Sequence, residues 1–523
     1  MSDKEIEFKF CLSPQQASTV EAAVRRGSVE RQRLQARYFD TADNVLARHR
    51  MALRLRKEGA NWVQTVKAAG QDSLQRLEHN VDLGPARAGD RLQPDPALHA
   101  GTVVGELLQQ ALAASDAPLA PTYETDVWRL TRMLRVPGGW VELAFDKGRL
   151  RAERVDTGKR VTAPIVELEL ELVRGALPSF VQLAQRWVQR HGLWLSTVSK
   201  AEQGERLRAG VTHVPAVKAG PTRMRSATPS GREILQCAVA SCLEQILPNA
   251  SEIAAGSEDA EQIHQLRIGL RRLRTALREL GPLAPGLVDP EWLPPLVQAF
   301  RALGELRDVE DVLASAQAQL LAAGGPELTL AQQAHTQNAA AIVRASALQS
   351  VLVALMGLVA GAGESNVAQQ QGDGADVAPD DGAWGSGVDG LPHVEALAQL
   401  KARIGKLHAA LVRAGKRYRV LSAEQRHAVR KRLKRQRYLI EFTAEMFGRK
   451  PVARYLQLLR PAQDALGEYN DEVVALATWR TLVEADPRAW FGVGWFTARE
   501  PAHVQACRSA LRQLRTAPRF WED

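Results

Sequence analysis

Near residue 215 the apolar residues change their spacing, and no other feature limits the possible folds as much. Before that point polar and apolar residues alternate over 4–10, 31–40, 51–57, 61–69, 122–133, 139–146 and 161–173. A period of two predicts strands. One helix fits near 14–25 and another near 178–190. Beyond it, apolar residues recur every three or four positions over 231–246, 258–280, 295–320, 330–358, 391–415, 422–446, 450–466, 470–484 and 500–515, which predicts helices. This spacing predicts an α+β multidomain chain, an antiparallel strand domain over 1–210 followed by an all-α domain over 228–515. Residues 211–227 fall in a stretch rich in Ser, Thr, Pro and Gly and are expected to act as a linker.

The helical half repeats itself. HQLRIGLRRLR sets His264, Arg267, Arg271 and Arg274 at offsets 0, 3, 7 and 10, and HAVRKRLKRQR sets His427, Arg430, Lys434 and Arg437 at the same offsets. Thirty-nine residues after each histidine come Leu303-Gly304-Glu305 with Arg307-Asp308, and Leu466-Gly467-Glu468 with Asn470-Asp471. Two separate motifs sharing one offset of 163 residues indicate an internal duplication, about 228–360 and 391–515. The Gly- and Asp-rich stretch 361–390 between the copies reads as a flexible loop. At 100° per residue the four offsets fall within an arc of about 80°, so each copy carries a basic stripe on one helix face. Like charges stacked on a stripe repel unless an anion is supplied.

The strand half sorts its charges. Glu5, Glu7 and Lys9 share one strand face, as do Arg54 and Arg56, Glu142 and Asp146, and Glu167, Glu169 and Glu171. A solvated face usually mixes signs within a strand. Here acids and cations stand largely on different strands, and a closed barrel would gather them in one interior. Clustered carboxylates suit hard divalent cations, and neighbouring Lys and Arg suit phosphate oxygens. The sequence holds no GxxxxGK[ST] loop, Rossmann fingerprint, HExxH or GxSxG, so the chemistry cannot be assigned to any of those four motifs.

Residues 3–207 resemble a CYTH domain, the triphosphate tunnel metalloenzyme fold. The match runs from the ExExK set Glu5, Glu7 and Lys9 through Tyr38-Phe39-Asp40-Thr41, Arg54/Arg56, Lys67, Arg129, Glu142/Asp146, Glu167/Glu169/Glu171 and Ser199-Lys200. The resemblance implies an eight-stranded antiparallel β tunnel open at both ends. It also implies hydrolysis of inorganic triphosphate to diphosphate and phosphate with Mg²⁺ or Mn²⁺. It places Glu5, Glu7, Asp146, Glu167, Glu169 and Glu171 at the metal, and Lys9, Arg54, Arg56, Lys67, Arg129 and Lys200 on the phosphates. Glu7, Lys9, Arg56, Glu169 and Lys200 would act most directly in catalysis. The family's usual SKxxRG arginine is replaced here by Gln203. Thiamine triphosphatase or class IV adenylate cyclase activity in the same tunnel is the alternative, and a non-enzymatic polyphosphate-binding or granule-targeting role is the other.

Residues 228–515 resemble a CHAD domain, on the two HxxRxxx[RK]xxR helices and the LGExRD and LGEYND segments. This implies binding of inorganic polyphosphate by His264, Arg267, Arg271, Arg274, His427, Arg430, Lys434 and Arg437. The net charge of +9 agrees with a polyanionic partner, while aromatic residues make up only 5% of the chain and none interleaves with the 264–274 stripe to stack bases, so nucleic acid fits less well. Four cysteines without a CxxC pair, no secretory leader and a longest apolar run of 12 residues lead to the expectation of a cytoplasmic protein without a membrane span, associated at most with polyphosphate granules.

Overall fold

The computed structural model describes residues 4–70, 74–85, 92–305, 308–328, 338–361 and 390–522. Most of the 361–390 loop, the start of the 330–358 segment and Arg307 lie outside them, as do the side chains of Glu305 and Asp308.

Eight antiparallel strands close into a barrel: β1 Lys4–Cys11, β2 Glu30–Asp40, β3 Met51–Glu58, β4 Asn61–Ala69, β5 Gln75–Pro85, β6 Ala120–Val136, β7 Gly139–Glu153 and β8 Arg160–Arg174. Their order is β5-β4-β3-β2-β6-β7-β8-β1, and β1 pairs back onto β5 through Glu5 and Arg76. The alternation predicts seven of these strands. It does not predict β5, although Leu77, His79 and Val81 alternate with Arg76, Glu78 and Asn80. Both sides of β5 carry polar groups, so its period stands out less than that of its neighbours.

The barrel turns its charge inward and its oil outward. Phe8, Phe10, Leu143, Phe145, Leu168 and Leu170 are buried on the outer wall, and Phe180 of helix Leu177–His191 packs on Phe8 with ring centroids 5.0 Å apart. A second outer cluster joins Leu46, Leu53 and Val66 to Val104 and Leu108 of helix Val103–Leu112. Burying these side chains stabilises the fold by about 25 cal/mol per Å² of apolar area and leaves the inward face free for polar work.

One end of the barrel is not open. Inward-facing Leu34, Val127, Leu150 and Ile165 cluster with Leu207, and Ala36, Tyr38 and Tyr123 with Ala201 and Leu207. Leu207 and Ala201 belong to helix Lys200–Ala209, whose N-cap is Ser199 and whose Gly204 lies so close to the Tyr123 ring that a Cβ there would stand 2.2 Å from it. The double opening implied by the family resemblance is therefore replaced by a single mouth, because apolar groups fill the far end.

Contacts divide the chain into two compact units. The first takes the described residues of Met1–Lys218, Leu243–Leu266 and Val343–Trp384, and the second those of Ala219–Cys242, Arg267–Ile342 and Gly385–Asp523. In the first, helix Ser346–Ala360 is buried throughout most of its length and lies against helix Leu177–His191, where a Cβ on Gly357 would stand 2.5 Å from Val181. In the second, helix Ala423–Thr443 starts on a Ser422/Gln425 capping box and buries Val429, Leu433 and Ile440. The segments expected at 450–466 and 470–484 are one helix, Arg449–Leu482. A glycine in a helix costs only about 1 kcal/mol, which packing of Leu466 and Tyr469 outweighs. No helix among the described residues is long and apolar enough to cross a membrane.

Candidate active site

Cross-strand register builds the barrel centre. Glu7 faces Glu171, Lys9 faces Glu169, Asp146 faces Glu167 and Arg129 faces Asp146. Side chains on matched positions of neighbouring strands share a face, so the sorted charges of the sequence meet inside.

Two acidic groups result, and they differ in their neighbours. In the first, Arg129 grips both oxygens of Asp146 at 2.7 Å and reaches Glu169 at 2.6 Å. Lys200 lies 2.8 Å from Asp146 and 2.8 Å from Glu169, and it also contacts Glu167. Lys9 stands 3.6 Å from Glu167 and donates to the Val198 carbonyl. Burial opposes ionisation here, yet Lys200 and Arg129 outweigh it and hold the Asp146 carboxyl below, and the Glu169 carboxyl well below, the usual range. Burial likewise works against the charge on Lys200, and the three carboxylates reverse its effect.

The second group is Glu5, Glu7, Glu142 and Glu171, nearer the mouth. Burial together with repulsion from Glu5 and Glu142 pushes the Glu171 carboxyl up to about 7. Burial also raises Glu142, with Glu169, Glu30 and Glu5 adding to it while Arg129 pulls the other way. A cluster of carboxylates that resist ionising together is the donor set a hard divalent cation would relieve. The oxygens of Asp146, Glu167 and Glu169 come within 4.8 Å of one another as well, but lysine and arginine already occupy their faces. The residues present fit a divalent cation.

The cations expected on the phosphates are also inward. Lys67 lies 3.3 Å from Glu5 and contacts Glu78. Arg54 approaches the Tyr38 hydroxyl at 3.5 Å, and Arg56 bonds Glu58. Burial and the nearby Arg54 bring Arg56 down to about 10, so it stays charged at neutral pH. Sequence reasoning missed Arg76, 3.4 Å from Glu7, and Glu78, because it missed β5.

In the second unit the two basic helices converge. The guanidinium carbons of Arg267, Arg271 and Arg274 lie 5.1, 5.1 and 5.4 Å from the centroid of the Phe300 ring. Burial and the fields of Arg271 and Arg430 push the Lys434 amine down to about 6, and burial with Arg271 brings Arg267 to about 10. Gly304 explains part of its motif, since a Cβ there would stand 2.8 Å from the Arg267 guanidinium. Two expected members differ from the rest. Arg437 pairs with Glu441 and Gln463, at 2.6 and 2.7 Å, and His264 is exposed and belongs to the first unit. His427 is bonded by Asn470 of the second acidic segment.

A charged antiparallel barrel followed by duplicated basic helices is the combination of two known domains. The chain carries a CYTH domain, matched over residues 3–203, and a CHAD domain, matched over 237–480. It is 27% identical over 207 residues to the inorganic triphosphatase of Haemophilus influenzae, a match covering 38% of this chain and about half, 54%, of that protein. It is 27% identical to the uncharacterized protein MT2285 of Mycobacterium tuberculosis, over 99% of this chain and 98% of the other. Among solved structures, the CHAD domain from the plant Ricinus communis is similar at 24% identity with a TM-score of 0.38, covering 57% of this chain and 96% of that domain. The CYTH match covers the barrel, and the barrel interior holds the acidic cluster Asp146, Glu167 and Glu169.

Proposed function

We propose that the barrel hydrolyses inorganic triphosphate to diphosphate and phosphate with Mg²⁺ or Mn²⁺, and that the helical half binds polyphosphate. The observation that carries the first part is the division of the interior into two acidic groups. One is neutralised by Arg129 and Lys200, and the other, around Glu171, is left for a cation. Glu5, Glu7 and Glu171 would hold the metal, joined by Asp146, Glu167 and Glu169 where arriving phosphate draws Lys200 and Arg129 away. A bound divalent cation supplies charge neutralisation on the phosphates and lowers the pKa of a coordinated water.

This chain's own residues do the rest. Arg54, Arg56 and Lys67, on β3 and β4, face the acids across the interior and would orient the phosphate chain. Lys9, Arg129 and Lys200 would take charge building on the transferring group. The filled far end excludes through-flow of water and leaves one mouth for entry. The name of the Haemophilus influenzae relative supports this substrate.

A second reading has one observation in its favour. Trp140 and Met133, 44% and 42% exposed, stand near Glu142 on β7 and β6 and offer an aromatic and apolar seat for a base-bearing triphosphate. Phosphate release from triphosphate, ATP and thiamine triphosphate, each with Mg²⁺ and with EDTA, tests both. Triphosphate should give the highest kcat/KM, and EDTA should abolish release; release unaffected by EDTA would remove the metal from the reading.

For the helical half, the supporting observation is the crowding of Arg267, Arg271, Arg430 and Lys434. Polyphosphate binding should rise with chain length and fall with salt.

A further inference from the structure

The segment that delivers Lys200 to the barrel centre is held by side chains from far along the chain. Within the first compact unit, the Leu195 N–H donates to Gln349 Oε1 at 2.9 Å, and the Thr197 N–H donates to Ser251 Oγ at 2.8 Å. Gln349 is buried and its own amide donates to the Val343 carbonyl at 2.8 Å, so its orientation is fixed. On the other side of Lys200, Arg206 of the same helix pairs with buried Glu252 at 2.6 Å.

Between these fastenings the segment makes its own contacts with the site. The Ser196 N–H donates to the Lys9 carbonyl at 3.0 Å, and the Val198 carbonyl accepts from the Lys9 amine. Leu247 and Met356 complete the wall of a cavity lined by Glu7, Lys9, Arg76, Leu195, Ser196 and Thr197.

We propose that Gln349 and Ser251 are positioning residues of the barrel centre. They hold residues 194–198 so that Lys9 and Lys200 stand against Glu167, Asp146 and Glu169. The inference rests on the barrel being the triphosphatase site and goes beyond it. It makes part of the helical half a component of that site, and it replaces the expectation of a linker followed by an independent module. Losing Gln349 leaves the buried Leu195 N–H unpaired, losing Ser251 removes the partner of the half-buried Thr197 N–H, and either frees the segment; a displacement of about 1 Å can cost on the order of 100-fold in turnover.

The test uses the full chain with Mg²⁺ and triphosphate. Gln349→Met keeps volume and removes both hydrogen bonds; Ser251→Ala removes the hydroxyl, and Ser251→Thr restores it. Gln185→Ala is the control, since it cuts the 3.0 Å bond from Gln185 to the Ser350 carbonyl without touching 194–198. Gln349→Met and Ser251→Ala should each lower kcat by about tenfold or more with KM changed less than about threefold, and Ser251→Thr should recover most of it. Amide exchange of the 194–200 peptide should accelerate in the first two variants only. Unchanged kcat and unchanged exchange in Gln349→Met and Ser251→Ala would overturn the proposal, as would an equal loss of kcat in Gln185→Ala. A wild-type chain that releases no phosphate would sink the triphosphatase reading instead. The exchange measurement would then still decide whether these residues hold the segment.

Discussion

Lys200 Nζ lies 2.8 Å from Asp146 Oδ2, and the carboxylate it meets is only 1% exposed. The amine also serves Glu169 and the buried Glu167, so it is the hub of three carboxylates, two of which water barely reaches. Removing one member of a buried ionic set leaves the others uncompensated. Lys200→Met should destabilise the chain by about 3 kcal/mol or more, with triphosphate turnover lost. Urea unfolding checks the first part, and a loss below about 1 kcal/mol would show that the hub is solvated.

The same set fixes a pH dependence. The Asp146 and Glu169 carboxyls are held below their ordinary values, so the unfolded state binds more protons as pH falls. Their contribution to stability is complete above about pH 5 and is lost as pH drops through the lowered folded values. Asp146→Asn should flatten the acid limb of a stability-against-pH curve. An acid limb of unchanged slope would count against this assignment.

Glu7 stands beside Arg76 and opposite Glu171, in the acidic group that Lys200 does not reach. Glu7→Gln keeps its shape and removes a charge. A fall in kcat of about 100-fold or more is expected, without unfolding. Near-normal turnover in saturating Mg²⁺ would take Glu7 out of the metal site.

Arg56 faces the interior from β3 with Glu58 as its partner. Arg56→Ala should raise KM or lower kcat/KM for triphosphate, and extra Mg²⁺ should not restore it, because a lost bidentate phosphate contact is not a lost metal. Full rescue by Mg²⁺ would reassign the residue.

Lys434 gives the helical half its own signature. With its amine at about 6 in the free protein, a bound polyanion should raise that value, so binding takes up a proton between pH 6 and the ordinary lysine range. Affinity for long-chain polyphosphate should therefore weaken as pH rises from 6, by at most about tenfold per unit, and Lys434→Arg should flatten the slope. Changing Arg267, Arg271, Arg430 and Lys434 together to alanine should abolish binding. A quadruple variant that binds normally at fixed ionic strength would remove polyphosphate from this site.

The sequence by itself determined the two-part architecture, because a period of two and a period of 3.6 are printed residue by residue and survive any packing. It also determined which faces carry charge. Glu5, Glu7 and Lys9 must share a side of β1 whatever lies next to it. The 163-residue repeat was equally legible, since it needs only counting.

What stands opposite what was decided only by the closed barrel. Register brought Lys9 to Glu169 and Arg129 to Asp146, separating the acidic group held by Arg129 and Lys200 from the one around Glu171, and no one-dimensional pattern carries that pairing. β5 escaped notice because His79 interrupts its apolar outer face between Leu77 and Val81 and blurs the alternation, and Arg76 and Glu78 were lost with it. The far end is closed by Leu207 and Ala201, from a helix after Ser199-Lys200 whose local sequence looks like an ordinary polar turn. Gln349 and Ser251 lie 154 and 54 residues from the backbone groups they hold. Such hydrogen bonds are short-range in space and arbitrary in sequence, so only the folded chain could reveal them.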